Sequence, residues 1–482
     1  MFPHVLDRVH AVQAEHEAIV FLQRGRLVDR HWCQWATQAT KESLLMAGDH
    51  LQEKIEHTVN RFSALESIKL TGASANNVAL LRRLPLLRHA TIWHASCDMM
   101  HLGQLVGLVS LKLAWCHKLT DQGVGVIATL TRLTALELSN CWDITEHCVS
   151  SLALLPALRD LNVSNTRCMS DVGMGHFAAM STLTKIDFYH SGQTSPLSDK
   201  GAKMLGTMTN LVALNLADTP SFTSRGVAHI LSLTNLADLC LPINASDDTL
   251  HSLACLTGIS HLGIDGNKVA ERGWKSLKQF SKLSALSIHD CETLDKGMKF
   301  IGEVTNLISL TLGEIVVRKF DEHALISLSH LTALTSLSMC NISGLTDKHA
   351  DGLSNMATLK RLHLTNCENI SGQGFGYLSG LKCLTDLHLS NCLCITDSSL
   401  GELATVRSLT DLHLEDCPEV TDAGVAALSQ LTALSILNLR GFPKITKVGL
   451  AQLESLRLLR RLRVVGRPEV ALKVGEFLST WH

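Results

Sequence analysis

One spacing recurs along most of this chain: Leu, two residues, Leu, one residue, Leu, two residues, then often Cys or Asn. Its cleanest copies are Leu359-Leu362-Leu364-Cys367, Leu384-Leu387-Leu389-Cys392 and Leu409-Leu412-Leu414-Cys417, whose first leucines lie 25 residues apart. Within one copy, Leu412 and Leu414 alternate with Asp411, His413 and Glu415. A period of two predicts a half-buried strand with the leucines inward and the polar residues outward. Thr421 and Asp422 follow as N-cap and first-turn chemistry for a helix, and Val425, Leu428 and Leu431 continue at helical spacing. The same Thr/Ser-Asp step stands at Thr120-Asp121, Ser170-Asp171, Ser198-Asp199, Ser246-Asp247, Thr346-Asp347 and Thr396-Asp397. Each unit is therefore one strand and one helix, too small to bury its apolar face without a neighbour.

This spacing, at a period of roughly 20–29 residues, resembles the leucine-rich repeat. The resemblance implies an α/β solenoid, a right-handed α/β horseshoe of about 17 repeats, with parallel strands on the concave side and helices outside. It covers residues 65–467. Two repeats are longer, around Ser191–Ser198 and Glu314–Asp321, and the extra residues map to loops on the rim. Residues 1–64 do not follow the repeat and read as a short all-helical segment. Residues 468–482, with an apolar stripe of Val470, Val474, Phe477, Leu478 and Trp481, read as a helix capping the open end of the core.

Composition narrows the function classes. A net charge of -2 argues against nucleic acid or an anionic membrane as the main partner. No stretch approaches the ~18 apolar residues of a membrane span. Of 15 cysteines, Cys116, Cys141, Cys291, Cys367, Cys392 and Cys417 share one repeat position, which suits small buried hydrophobes rather than disulfide partners. The first residues carry Asp7, Glu15 and Glu17 and resemble no export or transit signal. A reducing compartment is expected, the cytoplasm first, with nucleus or cilium as alternatives.

Ahead of the repeats, Pro3, Val5 and Leu6 open an apolar-spaced helix, and Leu27-Val28-Asp29-Arg30-His31-Trp32 closes a third. This order resembles the F-box, a three-helix unit that docks a Skp-type adaptor, and the repeats resemble the cysteine-containing subfamily that often follows it. The resemblance covers residues 3–36 and implies an adaptor surface at Pro3, Val5, Leu6, Leu27, Val28 and Trp32. Phe2 stands where the family has Leu, and Asp29 where it has Cys. A polar-faced cap shielding the first strand is the competing reading of the same residues.

Outward strand positions hold the candidate partner contacts. The strands between Leu211 and Leu359 carry mostly small groups there, such as Ala285, Ser287, Thr311 and Ser338. Later strands place His363, His388 and His413 in one slot, flanked by Arg361, Asp386, Asp411 and Glu415, with Arg440, Arg461 and Arg463 beyond. Trp93 and Tyr189 are the aromatic anchors expected toward the N-terminus. Histidines spaced by one strand could hold a metal, but duplicated repeats resemble one another, so the expectation is no metal and no cofactor. Gly123-Val-Gly125, Gly173-Met-Gly175 and Gly372-Gln-Gly374 sit at helix starts and lack the rest of a dinucleotide fingerprint. The sequence therefore predicts a non-catalytic protein-binding chain, no enzyme. Its resemblances imply the substrate-recognition subunit of a cullin-RING ubiquitin ligase, with a Skp-type adaptor and a substrate as partners. The alternative is a scaffold subunit held by its neighbours in a large assembly, as in the nexin-dynein regulatory region of cilia or a ribosome-like particle.

Overall fold

A computed structural model describes residues 44–46, 51–61 and 65–465, apart from 192–196, 220–223, 243–244, 292, 314–320, 322–323, 343–344 and 367–368. The expected adaptor residues Pro3, Val5, Leu6, Leu27, Val28 and Trp32 lie outside the described residues, as does the expected C-terminal cap. The chain divides into two compact units, Met1–Asn244 and Ala245–His482. No described helix is long and apolar enough to cross a membrane.

The first unit contains β1 (Leu44–Met46), β2 (Ser67–Thr71), β3 (His89–Trp93), β4 (Ser110–Ala114), β5 (Ala135–Glu137), β6 (Asp160–Asn162), β7 (Lys185–Asp187), β8 (Ala213–Asn215) and β9 (Asp238–Cys240). Each pairs in parallel with the next. β1 corrects the all-helical reading of residues 1–64, because Leu44 and Met46 already pair with Ile68 and Leu70. That strand hides in the sequence because Lys41 stands where its repeat would begin with Leu, 24 residues before Leu65.

The second unit repeats the scheme with β10 (His261–Asp265), β11 (Ala285–His289), β12 (Ser309–Gly313), β13 (Ser336–Cys340), β14 (Arg361–Thr365), β15 (Asp386–Ser390), β16 (Asp411–Glu415), β17 (Ile436–Arg440) and β18 (Arg461–Val465). These strands also pair in parallel, in order. The units are thus α/β leucine-rich repeat solenoid, and the spacing read from the sequence is realised strand by strand. In the repeat opening at Leu409, the residues Leu409, Leu412, Leu414, Val425, Leu428 and Leu431 are all 0% exposed. Burial of each such side chain contributes about 1.5–3 kcal/mol, which is what a lone repeat would forfeit. The predicted single helix is broken in two: an α-helix over Asp422–Ala427 and a 3-10 turn over Leu428–Gln430.

Two local devices set the pitch of each repeat. Strands end on a left-handed residue, as at Asn140, Asn165, Asn341, Asn366, Asn391 and Asp416. Asn and Asp tolerate that conformation better than other side chains, and here the amides also link: Asn165 Nδ2 donates to Asn140 Oδ1 at 2.7 Å, and Asn391 Nδ2 to Asn366 Oδ1 at 2.5 Å. The repeat cysteine then turns inward, and its thiol donates to a strand carbonyl, Cys392 Sγ to Leu364 O at 3.8 Å.

The second device is the Thr/Ser-Asp step. Its aspartate completes the cap of the following repeat. Asp397 Oδ1 accepts from Thr421 N at 2.8 Å and from Gly424 N at 3.0 Å, while Oδ2 accepts from Thr421 Oγ1 at 2.6 Å. Asp121 serves Thr145, Asp171 serves Ser198 and Asp422 serves Thr446 in the same way. This explains the recurring glycine at the third helical position, since a Cβ on Gly424 would collide with Asp397 Oδ1. Asp397→Asn removes the charge from three hydrogen bonds worth about 1.5–3 kcal/mol each when ionic. Asn keeps one acceptor, so a net loss of ~2 kcal/mol is expected, read as a lower urea midpoint and faster amide exchange over Asp422–Ala427.

Candidate functional site

On the outward face of the second unit's strands, the middle slot runs Ser338, His363, His388, His413, Asn438, Arg463 in register. The slot before it carries Ser336, Arg361, Asp386, Asp411, Ile436 and Arg461. The slot after it carries Thr365, Ser390, Glu415 and Arg440. The residues expected to line a partner surface, Arg361, His363, Asp386, His388, Asp411, His413, Glu415, Arg440, Arg461 and Arg463, are therefore brought together on β14–β18. Arg361 and Arg461 are exposed and the others half-buried.

The strand spacing forces the imidazoles against one another. The His388 and His413 rings stack with centroids 3.9 Å apart and planes 13° apart. His363 and His388 lie 4.2 Å apart but tilt by 35°. His388 Nε2 meets Asp386 Oδ1 at 3.0 Å. Burial works against the charge on Asp386, yet the hydrogen bond from His388 and the positive potential of His388, His363 and His413 hold its carboxyl below the ordinary range. Further along, Asn438 Nδ2 donates to Glu415 Oε1 at 2.9 Å. Beyond Arg361 on β14, the strip thus runs from imidazole and carboxylate on β15 and β16 to guanidinium on β17 and β18.

The first unit uses its middle slot differently. Lys69, Thr91, Lys112, Glu137, Asn162 and Asp187 follow one another in register. Lys112 Nζ pairs with Glu137 Oε2 at 3.7 Å, and Asn162 Nδ2 reaches Asp187 Oδ2 at 3.4 Å. Burial and the neighbouring Lys112 lower the affinity of Lys69 for its proton. Lys112 and Asp187 thus find their partners within the sheet itself.

The two expected aromatic anchors part ways. Trp93 is half-buried at the end of β3, while Tyr189 is 37% exposed in the turn after β7 and tilts over His190 with centroids 6.0 Å apart. The sequence reading missed a richer cluster in the turns after β3–β5: His94, Trp115, His117 and Trp142. Trp115 stacks on His94 at 6.0 Å and meets Trp142 edge-on at 6.2 Å, and His117 lies 4.9 Å from Trp142. A signal was present: His94 and Trp115 occupy the left-handed slot, at φ 52 and 58, where most later repeats have Asn or Asp.

Residues 407–429 match the Leucine Rich repeat family. No curated protein matches the chain in sequence. Among solved structures, an internalin from Listeria monocytogenes is 16% identical, with 88% of this chain and 96% of that one covered at a TM-score of 0.33. A leucine-rich repeat protein of Leptospira interrogans is 16% identical over 88% and 97% of the two chains, with a TM-score of 0.37. The TLR13–ssRNA13 complex is 16% identical over 88% and 64%, with a TM-score of 0.39. None of these likenesses bears on what the chain binds.

Proposed function

We propose that this chain recognises another protein through the strand face of its second unit, and that it does so as the substrate-recognition subunit of a cullin-RING ubiquitin ligase. One observation carries the recognition part. On β14–β18 the outward slots hold a contiguous strip of half-exposed His, Asp, Glu and Arg, displayed on a sheet whose other face is packed with leucine. Such a strip has polarity, and a partner with acidic groups toward β18 and basic groups toward β15 would be oriented by it. Leucine-rich repeat proteins characteristically serve as interaction surfaces of this kind.

The ligase part rests on the resemblance of Pro3, Val5, Leu6, Leu27, Val28 and Trp32 to the adaptor-docking face of an F-box. The test is a pull-down of purified Skp-type adaptor with the full chain. Binding is expected for the native chain, and a Leu27→Asp/Trp32→Ala double variant is expected to weaken it by ~30-fold or more, the scale of losing a 2 kcal/mol anchor. If the native chain fails to hold the adaptor, the ligase reading falls. Recovery of neighbours at fixed stoichiometry would then favour the scaffold.

A further inference from the structure

We propose that His363, His388 and Asp386 form a binding site for a divalent metal ion of the zinc class on the strand face of the second unit. Among the described residues this is the group of His, Cys, Asp and Glu whose ligand atoms converge, all within 4.8 Å of one another. Duplication of repeats accounts for the histidines but not for this convergence. Asp386 and Asp411 occupy equivalent positions in register, yet their carboxylates are used differently. Asp411 Oδ2 accepts from Thr410 Oγ1 at 2.6 Å. Asp386 Oδ1 instead meets His388 Nε2 at 3.0 Å. Glu415 is likewise engaged by Asn438. Asp386 thus faces an imidazole, whereas Asp411 accepts from a hydroxyl and Glu415 from an amide.

The dimensions suit the ion. Zinc bound tetrahedrally by imidazole nitrogen and carboxylate oxygen at ~2.0–2.2 Å places neighbouring ligand atoms about 3.3 Å apart. The Asp386–His388 separation of 3.0 Å is already close to that value, and the remaining separations, within 4.8 Å, would close by rotation of the side chains onto the ion. The His363 and His388 rings tilt by 35°, whereas His413 stacks flat on His388 at 13° and is not among the converging ligands. Two imidazoles and one carboxylate form a borderline donor set that favours Zn2+, Co2+, Ni2+ or Cu2+ over Mg2+ and Ca2+. Three protein ligands leave a coordination position open on the outward face.

Titration of the metal-stripped full chain with Co2+ tests the site. The expected result is one saturable Co2+ per chain with visible d–d absorption, displaced by Zn2+. It should lack the near-ultraviolet thiolate band that a cysteine site would give. H363Q and H388Q should each weaken binding by ~100-fold or more, D386N by at least ~10-fold, and H413Q by no more than about 3-fold. Circular dichroism monitors folding; should H388Q fail to fold, the nearly isosteric D386N carries the test. Absence of saturable binding, a thiolate band, or equal affinity in the native chain, H363Q and D386N would overturn the assignment. So would a loss in H413Q as large as in H363Q. None of these readouts involves the ligase adaptor or a protein partner.

Discussion

Replacing Trp274 with Ala is expected to destabilise the second unit by about 3–5 kcal/mol, the cost of emptying a large buried aromatic site. The indole is 0% exposed and sits on the helix Glu271–Ser276. The next helix, Leu294–Ile301, presents Gly297 directly to it; a Cβ there would lie 2.9 Å from Cε2 and 3.1 Å from Nε1. Backbone packed this closely cannot collapse into the void left by a methyl group, so the cavity term is retained. Trp274→Phe should behave differently. Nε1 finds no acceptor among the described residues, and an unsatisfied buried donor costs roughly 1–3 kcal/mol. Phenylalanine removes that donor and offsets much of its lost volume, so the net change should stay within ~1.5 kcal/mol. Urea midpoints, with amide exchange over β10–β12, measure both. A Trp274→Ala chain within about 1 kcal/mol of native would show that the helix layer relaxes around the site.

Stability of the second unit is also expected to fall by roughly 3 kcal/mol between pH 7 and pH 4 on account of one residue, His289. It closes β11, and burial pushes its pKa down to about 4. An unfolded imidazole titrates near ~6.5. Between those values the unfolded chain binds a proton that the native site rejects, so protonation favours unfolding. The penalty begins as pH drops through the unfolded value and is complete below about 4. Gly313, in register on β12, leaves the space the ring occupies, because a Cβ there would come within 2.7 Å of Nδ1. Comparing native chain with His289→Asn isolates the contribution, since every other titrating group is common to both. Parallel stability-against-pH curves for the two chains would refute it.

The repeat was legible because it is written in burial. Leu412 and Leu414 announce a strand face, and β16 appears there with both fully buried, as is Leu409 just ahead of it. What escaped was whatever depends on a neighbour. Asp397 reads in sequence as first-turn chemistry for its own helix, and only the stacked structure reveals that it serves Thr421 and Gly424. β1 was obscured because Lys41 replaces the leading leucine, although the pairing partners Leu44 and Met46 were present. Of the candidate site, the alignment of His363, His388 and His413 followed from a constant 25-residue spacing. The unequal use of Asp386 and Asp411 did not, because identical residues at identical positions differ only in side-chain direction. Trp115 and Trp142 lie just beyond the strand in turns where periodicity assigns no face.

The aspartate relay described between successive repeats has a direction. A helix start is finished by a carboxylate supplied from the N-terminal side, as Asp397 finishes the one at Thr421 and Asp422 the one at Thr446. Cutting such an array from its C-terminal end leaves behind only a solvated acid, while cutting it from the front strips the first surviving helix of its amide acceptors. Shortened forms should therefore fray from the leading edge, and a chain emerging from the ribosome meets each acceptor before the segment that needs it.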